Sequence, residues 1–235
     1  MEQMKEPLLV KSQLEVLDKG MGLLNINFSS KQRDQFKSYL ELLYLWNKKI
    51  NLFSQHDSNR LVERHILESV AWTINLEKMI NSPVMDIGSG AGFPGIPIAI
   101  LFPNVELVLV ESKKKKAIFL EEISHRLGLN ITVFPDRIEE LNSQVFHKER
   151  YPLVLARAVT SLTKLFQWAN KLLQKKGKLV TFKGDQLEQE MTDLKRDHLI
   201  KNPFSTKIVK YQTPINLINK PEKQERRIII IQKEN

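Results

Sequence analysis

Apolar residues recur at intervals of three and four through the first third of the chain. Leu9, Leu14, Val16, Leu17 and Leu24 outline a short amphipathic helix, and Phe36, Leu40, Leu43, Tyr44 and Ile50 outline a second. Ser29-Ser30-Lys31-Gln32 has the form of a capping box, with Ser29 or Ser30 as the N-cap of that second helix. Asp57 and Ser58 offer a further cap before the run Leu61, Val62, Ile66, Leu67, Val70 and Ala71. The pattern predicts three or four helices over residues 1–80.

From Pro83 the period changes. Short apolar runs alternate with amphipathic stretches, which predicts strands at Val84–Ile87, Glu106–Val110, Ile131–Phe134, Leu153–Ala156, Lys178–Phe182, Lys207–Tyr211 and Arg227–Gln232. Between them lie an apolar helix with Pro94 and Pro97 in its first turn, a helix over Lys113–Leu127 closed by Gly128, and a helix over Leu162–Leu173. Continuous apolar strands alternating with helices imply an α/β fold, a largely parallel seven-stranded sheet covered on both faces. The expected organisation is a helical cap over residues 1–80 and a nucleotide-binding domain over residues 81–235.

Composition narrows the function. The 235 residues include no cysteine, which removes disulfides, thiolate metal sites and cysteine nucleophiles. No His/Asp/Glu cluster has convincing metal-ligand spacing, and no stretch is long and apolar enough to span a bilayer. The first residues lack a basic leader followed by an apolar segment, so a cytoplasmic protein is expected. Lys and Arg outnumber Asp and Glu by 36 to 27, a surplus that favours a polyanionic partner such as nucleic acid.

The most informative stretch follows the first strand: Asp86-Ile87-Gly88-Ser89-Gly90-Ala91-Gly92-Phe93-Pro94-Gly95. Glycines there let the backbone approach a ligand closely and adopt positive φ. Phe93 stands where a dinucleotide fingerprint requires its third glycine, so the spacing is G-x-G-x-G. Glu111 ends the second strand, where a carboxylate can accept hydrogen bonds from two ribose hydroxyls. The competing readings are a turn or cap role for Asp86 and a helix-start role for Glu111.

With these residues the chain resembles a class I S-adenosylmethionine-dependent methyltransferase with a Rossmann-like fold. More narrowly, it resembles the bacterial RsmG (GidB) family of 16S ribosomal RNA guanine-N7 methyltransferases. The matching segments are Trp46–Leu52, Arg64–Ser69, the Asp86–Gly95 loop, Glu111–Leu120, Ala156–Val159 and Phe182-Lys183-Gly184. Glu68 and Val70 depart from it where Asp and Leu are expected, and Phe53-Ser54 where a Thr is expected. The resemblance implies S-adenosylmethionine as cofactor and 16S rRNA or a small-subunit precursor as partner. It implies a cofactor site of Asp86, Gly88, Ser89, Gly90, Gly92, Phe93 and Glu111. It adds the adenine-flanking Asp136, Ile138 and Glu139, with a turn carboxylate as the plainer reading of Asp136.

Arg157, just past the fourth strand, is the expected catalytic residue and is also assigned to the cofactor site. Its planar donors suit a phosphate or guanine O6, while contact with N7 would compete with attack, and an ion pair is its structural alternative. Asn51, His65, Lys113, Lys114 and Lys183 are candidate RNA contacts. A lone histidine among Leu61, Ile66 and Leu67 is ordinarily structural, and a run such as Lys113–Lys116 ordinarily marks a solvated face.

What the chain lacks bears on the product. Pyrimidine C5 methylation needs a cysteine nucleophile, and exocyclic amine methylation in typical enzymes uses an Asn/Asp-Pro-Pro-aromatic loop where this chain reads Ala156-Arg157-Ala158-Val159. Guanine N7 has an available lone pair, so orientation, which can supply roughly 7–11 kcal/mol, is compatible with transfer without a general base, and ribose and other ring nitrogens stay open as acceptors. A noncatalytic RNA-binding protein on this fold and a methyltransferase of a small molecule or protein remain as alternatives.

Overall fold

A computed structural model describes residues 5–76, 80, 82–182, 187–200, 203–216 and 221–234. Helices α1 (Lys5–Leu23) and α2 (Ser30–Asn47) lead into a 3₁₀ turn, Gln55–Arg60, and a π-helical turn, Val62–Leu67, that runs directly into α3 (Glu68–Leu76). Ser29 caps α2 through a capping box with Gln32. The cap expected at Asp57 and Ser58 lies earlier. Ser54 is the N-cap, and its side chain accepts from the Asp57 N–H, because the chain starts this turn before the apolar run begins.

Alternation then follows as β1 (Val84–Ile87), α4 (Gly95–Leu101), β2 (Leu107–Val110), α5 (Lys114–Leu127), β3 (Ile131–Phe134), α6 (Ile138–Leu141), β4 (Tyr151–Arg157), α7 (Leu162–Leu172) and β5 (Leu173–Phe182). Gly128 ends α5 at φ 60° and ψ 43°, the left-handed conformation that a Cβ disfavours. The chain finishes with α8 (Leu187–Arg196), β6 (Phe204–Ile215) and β7 (Glu222–Lys233). Helix α8 was not foreseen: its apolar positions, Leu187 and Leu194, are too sparse to stand out.

The seven strands lie in the order β3-β2-β1-β4-β5-β7-β6, parallel except at β7, which runs antiparallel to both neighbours. Strand residues alternate between two cores, as a period of two requires. Val84, Leu107, Leu109, Leu153 and Leu155 join a core with α1 to α5, while Met85, Ile87, Val108, Val110 and Val154 join one with α6, α7 and α8. The N-terminal helices therefore bury their apolar faces against the same sheet face as α4 and α5. Tyr39, Trp72 and Phe119 are completely enclosed there.

Candidate cofactor and substrate site

Hydrogen-bond register levels the strand ends. Ile87 pairs with Val110 and Ala156, Val110 with Phe134, and Ala156 with Thr181. One step further along each strand are Gly88, Glu111, Arg157 and Phe182, all on the carboxyl edge of the sheet. The strand order reverses between β1 and β4, and such a switch point is where α/β sheets take ligands.

The glycine loop turns on Gly88, Gly90 and Gly92, with φ of 70°, 59° and 97°. A Cβ on Gly92 would lie 2.5 Å from Ile96 and 2.9 Å from the Tyr39 hydroxyl, so that position is closed by packing. At Gly90 a Cβ would meet only the Gly88 carbonyl, at an ordinary contact distance of 3.8 Å, so packing does not close this flank. The Tyr39 hydroxyl donates to the Ala91 carbonyl at 2.6 Å, tying α2 to the loop.

Asp86 stands behind this loop, fully buried, and accepts from the Gly95 N–H at 3.1 Å. Burial pushes its carboxyl up to about 7, against the opposing effect of that N–H. Its Oδ1 is buried without a hydrogen-bond partner. Ser89 is buried and donates to the Asp86 carbonyl at 2.9 Å.

Glu111, nearly buried, accepts from the Gly90 N–H at 2.9 Å with one oxygen and from the Lys113 N–H at 2.8 Å with the other. It thus joins the loop to the start of α5, which agrees with the helix-start reading. A carboxylate has about four acceptor sites, so two remain for ribose hydroxyls. The open flank of Gly90 and these remaining acceptors fit S-adenosylmethionine. Past β3, Asp136 is half-buried, Ile138 buried and Glu139 exposed.

Arg157 is brought together with the N-terminal motif. Its Nη2 lies 2.7 Å from Glu68 Oε2, donates to the Arg64 carbonyl at 3.0 Å and lies 3.3 Å from His65 Nδ1. His65 stacks on Phe93 with ring centroids 5.1 Å apart, and its Nε2 is 3.6 Å from Asp57. Burial, followed by the Arg157 charge, lowers the His65 pKa to about 4. A neutral ring with Nδ1 accepting from Arg157 follows. His65 is in this way a strut between the glycine loop and Arg157. Ala158, next in sequence, has φ 53°, a strained value for a residue with a Cβ, at the point where Val159 packs against Gly88.

Other expected contacts are solvent-exposed, although the Lys113 backbone N–H donates to Glu111. Asn51 is exposed on the turn after α2, and Lys113 and Lys114 are exposed at the start of α5. Lys183 lies outside the described residues. Residues that pattern reading missed are Glu68 as the partner of Arg157, Tyr39 as a loop support and Arg226, which reaches within 3.6 Å of Glu68 from β7. Glu68 stood inside a matched motif. Arg226 had no local signal, since only the antiparallel return of β7 brings it to this edge. Among the described residues no group of three or more His, Cys, Asp or Glu is placed to hold a metal ion.

Comparison with known proteins identifies the family and the fold. The family model described as rRNA small subunit methyltransferase G (GidB) matches residues 32–219. The ribosomal RNA small subunit methyltransferase G of Lactococcus lactis subsp. cremoris is 35% identical over 212 residues, covering 89% of this chain and 86% of that protein. Its namesake from Bacillus licheniformis is 33% identical over 224 residues, covering 94% and 91%. Among solved structures, a putative O-methyltransferase from Klebsiella pneumoniae superposes with a TM-score of 0.58 at 10% identity, covering 89% of this chain and 92% of that one, a likeness of fold. A levelled carboxyl edge carrying the glycine loop, Glu111 and Arg157, within a match that spans most of the chain, makes this protein a member of the rRNA small subunit methyltransferase G family.

Proposed function

We propose that this protein transfers a methyl group from S-adenosylmethionine to N7 of a guanine in 16S rRNA, acting in the cytoplasm on the rRNA or a small-subunit precursor. The observation that carries the proposal is the single row of Gly88, Glu111 and Arg157 at the sheet's switch point, in a chain of this family. S-adenosylmethionine supplies an electrophilic methyl group on a sulfonium.

The chain's own residues bind and orient. Gly88 to Gly92 offer backbone that a ligand can approach, and Glu111 supplies acceptors for ribose hydroxyls. Asp136, Ile138 and Glu139 flank the adenine, with Ile138 giving an apolar surface and Asp136 an acceptor. Arg157 presents a fixed fork to guanine O6 or a phosphate. His65, held neutral by burial beside Arg157, takes no proton at ordinary pH and leaves N7 attack to orientation.

Incubation with methyl-labelled S-adenosylmethionine tests the reading. Label is expected in 16S rRNA, and the signal is expected to vanish when RNA is omitted. Label in protein or in a small acceptor alone would identify a different methyltransferase, and RNA binding without transfer would identify a noncatalytic one.

A further inference from the structure

Among the described residues β7 pairs with β5 through Ile228–Gln232, whereas β6 and β7 stay paired out to Ile215 and Glu222. The β6–β7 ribbon therefore runs on past the carboxyl edge of the sheet, beyond Phe182. Its projecting part, carrying Thr213, Gln224 and Arg226, faces Arg64, Glu68 and Arg157 across a cavity of about 560 Å³. Four arginines line this space, and their pairing is uneven. Arg60 is paired with Glu63 and Arg64 with Asp57, each with a carboxylate of its own. Arg157 and Arg226 share Glu68, one guanidinium on each carboxylate oxygen, at 2.7 Å and 3.6 Å.

One carboxylate between two guanidinium groups leaves a positive charge uncompensated. Hydrogen bonding is also incomplete: His65 Nε2, Arg157 Nη1, Thr213 Oγ1 and Arg226 Nε are buried without a hydrogen-bond partner, Arg226 Nε lying 3.6 Å from Glu68 Oε1. Buried donors are ordinarily satisfied, and four such atoms on residues around one cavity call for an acceptor. The lining is mainly polar and charged, with Phe182 and Ile215 as apolar members, and its arginines suit an anion. A phosphodiester offers several acceptor oxygens and one negative charge, matching both deficits.

We infer that Arg157 and Arg226, bracketed by Glu68, form a clamp for a phosphodiester of the substrate RNA, with the β6–β7 ribbon as its second jaw. Glu68 is the positioning residue: its two oxygens hold guanidinium groups from β4 and β7 side by side. The clamp deepens the function proposed above and rests on RNA being the substrate.

The test is binding of 16S rRNA without S-adenosylmethionine across a salt series, with melting temperatures as a check on folding. Arg226→Gln is expected to weaken binding at least about tenfold and to make the log–log salt slope shallower by about 0.7, the contribution of one single-strand phosphate contact. Arg226→Lys is expected to keep the slope but lose affinity, because an ammonium cannot reproduce the fork. Glu68→Gln removes a negative charge, which by charge alone would tighten RNA binding, yet it is expected to weaken it several-fold by releasing both guanidinium groups. Wild-type slope and affinity in folded Arg226→Gln, or tighter binding by Glu68→Gln, would overturn the clamp. Transfer of label to RNA with an unaltered Arg226→Gln slope rejects the clamp alone. An Arg226-dependent slope without transfer rejects the methylation reading alone.

Discussion

Arg157 shows why a residue's neighbours matter as much as its place on a strand. Position past β4 pointed to it, but the structure adds that Glu68, the Arg64 carbonyl and His65 fix its orientation. Arg157→Ala is expected to leave S-adenosylmethionine affinity nearly intact while lowering methyl transfer roughly 100-fold, or about 2.7 kcal/mol, as when a charge-stabilising donor is removed. Lysine should rescue poorly. Single-turnover transfer measured beside cofactor titration decides it: wild-type transfer would make Arg157 a structural ion-pair residue, and a matching loss of cofactor affinity would move it wholly into the cofactor site. Asp86 has a different signature. Its carboxyl rests at about 7 in the folded protein against an ordinary 3.8, so between those values the folded state holds a proton that the unfolded chain has lost. Stability contributed by this group therefore falls as pH rises from about 4 to about 7. His65 acts in the opposite sense, since its folded pKa of about 4 lies below 6.5 and stability rises with pH between them. Asp86→Asn can still accept from the Gly95 N–H and has no proton to lose. Its stability relative to wild type is expected to be more favourable at pH 8 than at pH 5, because the His65 contribution cancels in the comparison. Denaturant midpoints at the two pH values measure this, and a pH-independent difference would contradict it.

At the scale of elements, the glycine loop is held from three sides: by Tyr39 from α2, by Val159 from the β4 exit and by Glu111 from the end of β2. Gly90→Val adds a branched side chain beside the loop at a φ of 59°, and Glu111→Ala removes both the proposed ribose acceptor and the carboxylate joining Gly90 to Lys113. Each is expected to weaken S-adenosylmethionine binding at least about tenfold, or ~1.4 kcal/mol, in calorimetry on folded variants. Unchanged affinity in both would remove this loop from cofactor binding. The loop was legible in sequence because its chemistry is local: glycines, an acidic residue and a strand fall within one continuous stretch. Strands β1 and β3 were also legible to the residue, since an apolar run bounded by turn residues states both ends. Strand β4 reaches further than expected, to Tyr151 and Arg157, because residues flanking the apolar run still pair with the neighbouring strand, Tyr151 with Leu173 and Arg157 with Phe182. The π-helical turn at Val62–Leu67 was not visible, as its apolar positions fit an ordinary helix equally well. That turn holds Arg64 and His65, whose approach to Arg157 depends on contacts across the fold.

Over the whole molecule, the charge surplus indicated a polyanionic partner without saying where it would bind. The Lys113–Lys116 run concentrates positive charge locally, yet Lys113, Lys114 and Lys115 are exposed at the start of α5. The arginines that meet around Glu68 are scattered from Arg60 to Arg226 and become a group only when β7 returns antiparallel beside β5. Such convergence is set by topology, and no local pattern encodes it. The central claim is that this edge of the sheet directs a methyl group to guanine N7 in 16S rRNA. Nucleoside analysis of 16S rRNA after incubation with the protein and labelled S-adenosylmethionine tests it most directly. The label is expected to run as 7-methylguanosine at one position and to accumulate roughly 100-fold more slowly with Arg157→Ala; label on another atom, on ribose or on a different base would contradict the account.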